Sequence, residues 1–149
     1  MIVDFVKRVK GISGILREKR IMPQTTVIFF RESNGKVPVI EWLDSIKNRP
    51  KARVKVLKLI QRLKEVGNKL RRPESDYLRD GIYELRIRHE RINYRVLYFF
   101  SGQDVAVLSG GLVKKDVVPE PDIRRAIDRK RQFMIAPEFH SFLGSERYV

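Results

Sequence analysis

The sequence contains no cysteine, which excludes a disulfide framework, a thiolate nucleophile and any zinc site that needs Cys ligands. Its two histidines, His89 and His140, stand far apart in the chain. They are too few for a metal cluster, so any chemistry is expected to run without a metal or other cofactor. Long apolar runs are missing too: Val96–Phe100 and Val105–Leu108 fall far short of the roughly 20 residues a bilayer crossing takes. Residues 1–22 interleave Phe5, Val9, Ile12 and Leu16 with Lys7, Arg8, Lys10, Arg17, Lys19 and Arg20, which leaves no uninterrupted core for a signal peptide. Together these absences predict a soluble, cytoplasmic protein without membrane contact. Acid is scarce as well. Asp plus Glu total 18 against 32 Lys plus Arg, a formal charge of +14, and self-repulsion on that scale points to a polyanionic partner.

What is present is enough apolar material for one core: 42% of 149 residues suits a single domain. Phe5, Val9, Ile12 and Leu16 recur at helical spacing, but Gly11 and Gly14 weaken that helix, so residues 1–24 read as a basic arm or extension. Thr25–Phe30 is β-branched and aromatic and ends in Ser33, Asn34 and Gly35, a strand followed by a loop. Pro38 opens a helix with Ile40, Leu43 and Ile46 as its stripe, and Pro50 opens a second that Gly67 ends. In the second, Val54, Leu57, Ile60 and Leu63 are the expected inner face, while Lys51, Lys55, Lys58 and Arg62 form a basic stripe. That stripe is either a solvated helix face or a track of phosphate contacts.

Pro73 and the polar residues around it read as a loop. Ile82–Arg88 alternates, with Tyr83, Leu85 and Ile87 opposite Glu84, Arg86 and Arg88. His89, Glu90 and Arg91 make a turn, and Ile92–Phe100 is apolar on both sides except at Asn93 and Arg95, as in a central strand covered above and below. Gln103–Val113 is the next strand, interrupted by Gly110 and Gly111, where a bulge or a close approach is allowed. Asp122 to about Met134 reads as a final helix and the rest as an irregular tail, in which Phe139, Phe142 and Leu143 are candidate contact residues. Strand, two helices, three strands and helix make the chain α+β: a small antiparallel sheet packed against two helices from the first half, plus a C-terminal helix.

Arg86, Arg88 and Arg95 lie on adjacent strands, and Lys114 and Lys115 follow the double glycine. In the natural hairpin register Arg86 and Arg95 oppose each other, which destabilises a sheet unless an anion sits between them. A phosphate suits that place, since Arg offers a matching fork of donors. Pairing with Glu84 or Glu90 at the surface is the plainer alternative. Tyr94 and Tyr98 fall on the face away from Arg95 and read as core. His89 reads as a solvated turn residue, and Glu84 shares a face with Arg86.

Three segments carry a family resemblance: Leu78-Arg79-Asp80-Gly81-Ile82-Tyr83-Glu84-Leu85-Arg86, Tyr94-Arg95-Val96-Leu97-Tyr98, and Leu108-Ser109-Gly110-Gly111-Leu112-Val113-Lys114-Lys115. With Pro38, Val39, Glu41, Trp42 and Leu43, they resemble the phage-derived Gp49-like, or HigB-like, group of the RelE and ParE toxin superfamily over roughly Thr25–Met134. The resemblance implies a RelE-like fold over residues 25–134, with a tail at 135–149. It implies a toxin that cuts messenger RNA on the translating ribosome and an antitoxin partner, a small acidic or helix-turn-helix protein of the HigA type. A non-catalytic binding module on the same fold, ParE-like or a phage accessory protein, is the alternative. By position Arg86, Arg95 and Lys114 or Lys115 match the phosphate-clamping and catalytic residues. Glu84 stands where related enzymes often carry a second cation, and Val117, Val118 and Pro119 stand where they carry a tyrosine.

Overall fold

A computed structural model describes residues 24–114, 116–144 and 148, with the backbone alone at Lys114. Residues 1–23 of the basic arm, and Lys115, lie outside the described residues. The elements are β1 (Thr26–Phe30), α1 (Pro38–Ser45), α2 (Pro50–Val66), a 3-10 turn (Gly67–Lys69), β2 (Ser75–Arg79), β3 (Ile82–His89), β4 (Ile92–Phe100), β5 (Val105–Lys114), α3 (Glu120–Ile135) and β6 (Ser141–Phe142). The chain is α+β, as the sequence predicts, with one six-stranded sheet in the order β2-β3-β4-β5-β1-β6.

Two strands are absent from the sequence reading. β2 lies in the stretch read as loop, where Asp80 and Gly81 (φ 50° and 82°) close a tight hairpin into β3. The second hairpin turn uses Glu90 and Arg91, both at positive φ although neither is glycine. β6 lies in the tail read as irregular and pairs antiparallel with the outer edge of β1. The sheet is also mixed. β1 runs parallel to β5, because the chain leaves β1, crosses the sheet through α1 and α2, and returns to β1 as a four-strand antiparallel meander.

Period-two alternation gives the sheet two faces. On the first, Phe29, Leu85, Ile87, Tyr94, Val96, Tyr98 and Leu108 pack against α1 and α2. Tyr94 and Tyr98 are thus core residues. Gly111 also lies on this side, where a Cβ would collide with the Trp42 ring, and β5 slips register between Gly110 and Leu108. The expected bulge and close approach are therefore both present at the double glycine. In α2 the buried residues are Ala52, Val56, Leu59, Ile60 and Leu63. Val54, expected to face inward, is 48% exposed, because a three-residue step drifts off a 3.6-residue helix stripe.

On the second face Ile28, Phe30, Ile82, Leu97, Phe99 and Val107 meet Ile123, Ala126 and Phe133 of α3. Arg129 anchors this helix by donating to Ser109 O (2.8 Å) and Glu32 Oε1 (3.2 Å). In the tail, His140 stacks on Phe30 and Phe142 on Phe29, while Phe139 and Leu143 stay about half exposed. Among the described residues no helix is long and apolar enough to cross a membrane.

Candidate functional site

The cations noted on the strands lie on the second face, toward the end of the meander away from β1. Three rows cross the strands there. Asp76 pairs with Glu84, Arg86 with Arg95, and Arg88 with Asn93, while β5 adds Leu112 opposite Arg95 and Lys114 opposite Asn93. Arg86 and Arg95 are thus direct cross-strand partners, an arrangement that costs free energy unless anions intervene.

The chain itself supplies those anions. Glu84 Oε1 lies 2.6 Å from Arg95 Nε, and both residues are only 5% exposed. The expected alternative of surface pairing with Glu84 is therefore corrected in its setting: the pair is buried. Glu90 instead lies 3.5 Å from His89. Oε1 of Glu84 takes the charge of Arg95 without a well-directed hydrogen bond. Burial pulls the Arg95 guanidinium below its ordinary value, and Glu84 opposes that pull. Arg95 Nη1 also donates to the Tyr94 carbonyl at 3.2 Å. Asp76 serves the other arginines: its Oδ2 is 2.6 Å from Arg72 and 3.8 Å from Arg86. The hydrogen bond from Arg72 holds the Asp76 carboxyl below the usual carboxylate range, and in return raises Arg72.

Beside this network a cleft of about 300 Å³ opens between β2 and β3 on one side and the segment joining β5 to α3 on the other. Arg72, Arg79 and Arg86 bring positive charge to it, Asp76, Glu84 and Asp116 negative charge, and Val118 and Ile123 an apolar wall. Arg79 ties the cleft together, pairing with Asp80 in the hairpin turn and with Glu120 at the start of α3. Such a cleft can bind an anion through Arg86 while Glu84 and Arg95 stiffen its floor.

Not every sequence-predicted residue gathers here. Arg86 lines the cleft, Arg95 sits behind Glu84, and Arg88 is exposed one row further along. Lys114 occupies β5 opposite Asn93, and Lys115 lies outside the described residues. Lys51, Lys55, Lys58 and Arg62 are exposed on α2, which covers the first face, so the sheet lies between that stripe and the cleft. Arg62 is further occupied by a two-pronged contact to Glu74 (2.9 and 2.8 Å).

His89 ends β3 at the hairpin, and His140 is buried with Nδ1 2.8 Å from the Arg31 carbonyl. The cleft residues Asp76 and Arg79 were not assigned to a site from the sequence because β2 was read as loop, and Arg72 lies in the turn just before it. The signal that would have found them is Asp80-Gly81, a tight-turn dipeptide between two short runs. Among the described residues no three His, Asp or Glu side chains are grouped to hold a metal ion.

Residues 41–131 match the family model described as phage derived protein Gp49-like. No curated protein matches the chain.

Proposed function

The chain belongs to the phage-derived Gp49-like family, a RelE-like group associated with toxin–antitoxin systems, and on that premise we propose that it is a toxin that cleaves messenger RNA on the translating ribosome. A HigA-like antitoxin encoded beside it holds it inactive, and the place of action is the cytoplasm. The observation that carries this reading is the cleft: Arg86 at its surface, backed by the buried pair of Glu84 on the same strand and Arg95 on the next.

Metal-free RNA cleavage proceeds by attack of the ribose 2′ oxygen on the adjacent phosphorus, expelling the 5′ oxygen of the next nucleotide. The products are a 2′,3′-cyclic phosphate and a free 5′-hydroxyl. A base takes the 2′ proton, an acid protonates the leaving oxygen, and cations meet the charge that grows on the phosphorus-bound oxygens. Arg86 takes the last of these tasks directly. Arg95, buried and engaged with Glu84, adds positive potential from behind.

The proton-transfer tasks are assigned to Lys114 or Lys115, the basic residues at the end of β5 by sequence, since an arginine keeps its proton at neutral pH. Glu84, the rival base, is committed to Arg95 and is assigned a positioning role. Arg88 and the α2 stripe of Lys51, Lys55, Lys58 and Arg62 act as RNA contacts away from the scissile bond.

The test is induction without antitoxin, with mapping of RNA ends. Wild-type protein should stop growth and leave fragments carrying a 2′,3′-cyclic phosphate and a 5′-hydroxyl. Arg86→Gln should fold normally and cut about 10²–10³-fold more slowly, the usual effect of deleting one charge-stabilising donor. Undiminished cutting by that variant, or binding of RNA with no cutting by the wild type, would sink the catalytic assignment.

A further inference from the structure

Asp76 is the residue the proposed chemistry leaves unused. Its Oδ1 accepts the Tyr77 backbone N–H at 3.0 Å, so it has a local role, but Oδ2 points between two arginines. It meets Arg72 at 2.6 Å and reaches Arg86 only at 3.8 Å. Oδ2 is thus in full contact with Arg72 alone, and Arg86 is left partly satisfied. A phosphate carries separate non-bridging oxygens on a tetrahedral centre, so it can engage both guanidinium groups at once. The Arg72 side chain is 69% exposed and Arg86 31% exposed, so both can be reached by such a ligand from the cleft.

We propose that Asp76 is a built-in occupant of a phosphate subsite formed by Arg72 and Arg86, and that a phosphate ester of the bound strand enters by displacing it. The inference rests on the RNA reading for the identity of the ligand, and on the two arginines alone for its existence. In the free protein Arg72, Arg86 and Arg95 face Asp76 and Glu84, so three positive charges are offset by two negative ones. Binding is then an exchange of anions. Asp76 lowers affinity for every phosphate-bearing ligand, which keeps a strongly basic protein from gripping nucleic acid indiscriminately.

The direct test is Asp76→Asn, which keeps the shape and the oxygen that accepts from Tyr77 but removes the charge. Inorganic phosphate is titrated while the side-chain N–H signals of Arg72 and Arg86 are followed by NMR, and a short labelled single-stranded RNA is titrated by fluorescence anisotropy. Asp76→Asn should bind both ligands about two- to fivefold more tightly, the range expected for relieving exposed charge pairs. Adding Arg72→Gln to that variant should abolish the gain.

Unchanged or weaker binding of both ligands by a folded Asp76→Asn overturns the proposal, since Asp76 would then be orienting the arginines. Tighter phosphate binding with RNA affinity unmoved supports the subsite and overturns the RNA reading instead.

Discussion

The two faces of the sheet are built from the same strands yet obey different rules. Under α1 and α2 the first face is closed: Leu43, Val56, Ile60 and Leu63 pack against Leu85, Val96 and Tyr98, and the polar groups buried there include the tyrosine hydroxyls. One of those, on Tyr98, hydrogen-bonds to Ser75. The second face is apolar only where α3 lies, around Phe30, Phe99 and Phe133. Beyond it, the same alternation places Glu84, Arg86, Arg88 and Arg95 on that face, Glu84 and Arg86 sharing a cleft with Ile123 of α3. The closed face supplies stability through burial. The open face stores charge whose cost is offset internally by Glu84 and Asp76.

The contrast is most sharply tested at Arg95. Arg95→Ala leaves Glu84 as a buried, unpaired charge and should destabilise by about 3–5 kcal/mol in chemical denaturation. Replacing the whole pair, Glu84→Gln with Arg95→Met, should recover most of that loss. If the single variant is as stable as wild type, the pair is not buried in solution. Loss of toxicity in Arg95→Ala is for this reason no clean test of catalysis, whereas Arg86 is exposed enough to serve.

On the closed face, Leu63→Ala should cost about 2–5 kcal/mol by opening a cavity, without changing affinity for RNA at a temperature where the variant is folded. A changed affinity would mean that the two faces are coupled.

Tyr98 gives the closed face a pH signature. Burial pushes its hydroxyl up to about 12 from an ordinary value of 10.0. The unfolded chain therefore loses this proton first. Stability is fully present below about pH 10 and falls as pH rises toward 12, by about 2–3 kcal/mol. Denaturation curves of Tyr98→Phe across that window should lack this component of the slope; an identical slope would refute it.

The smallest stability effect belongs to the basic stripe. Lys51, Lys55 and Lys58 are exposed, so each substitution to Glu should move stability by no more than about 0.5 kcal/mol. If the stripe touches phosphates, the three together should flatten the salt dependence of RNA binding by about two in log–log slope. No change in that slope would return the stripe to a solvated helix face.

Much of the fold was legible because it is written in local rules. Alternation along Ile82–Arg88 assigned its faces correctly, proline and glycine marked the helix ends, and the cross-strand meeting of Arg86 with Arg95 followed from a hairpin register. β2 was missed because Ser75–Arg79 is short, polar and at a sheet edge, with little apolar period to show. β6 was missed because two residues carry no period at all; only contact with β1 defines it.

By itself the sequence determined the β3–β4 and β4–β5 hairpins, the approximate helix ends and which side chains of β3 and β4 share a face, since turn geometry and the two-residue period act over neighbouring residues. Tertiary structure alone decided that Glu84 neutralises Arg95, that Asp76 stands between Arg72 and Arg86, and that the α2 lysines lie across the sheet from the cleft. Coulomb attraction depends on distance in space, and those distances exist only once remote segments have been brought together by the burial of the core.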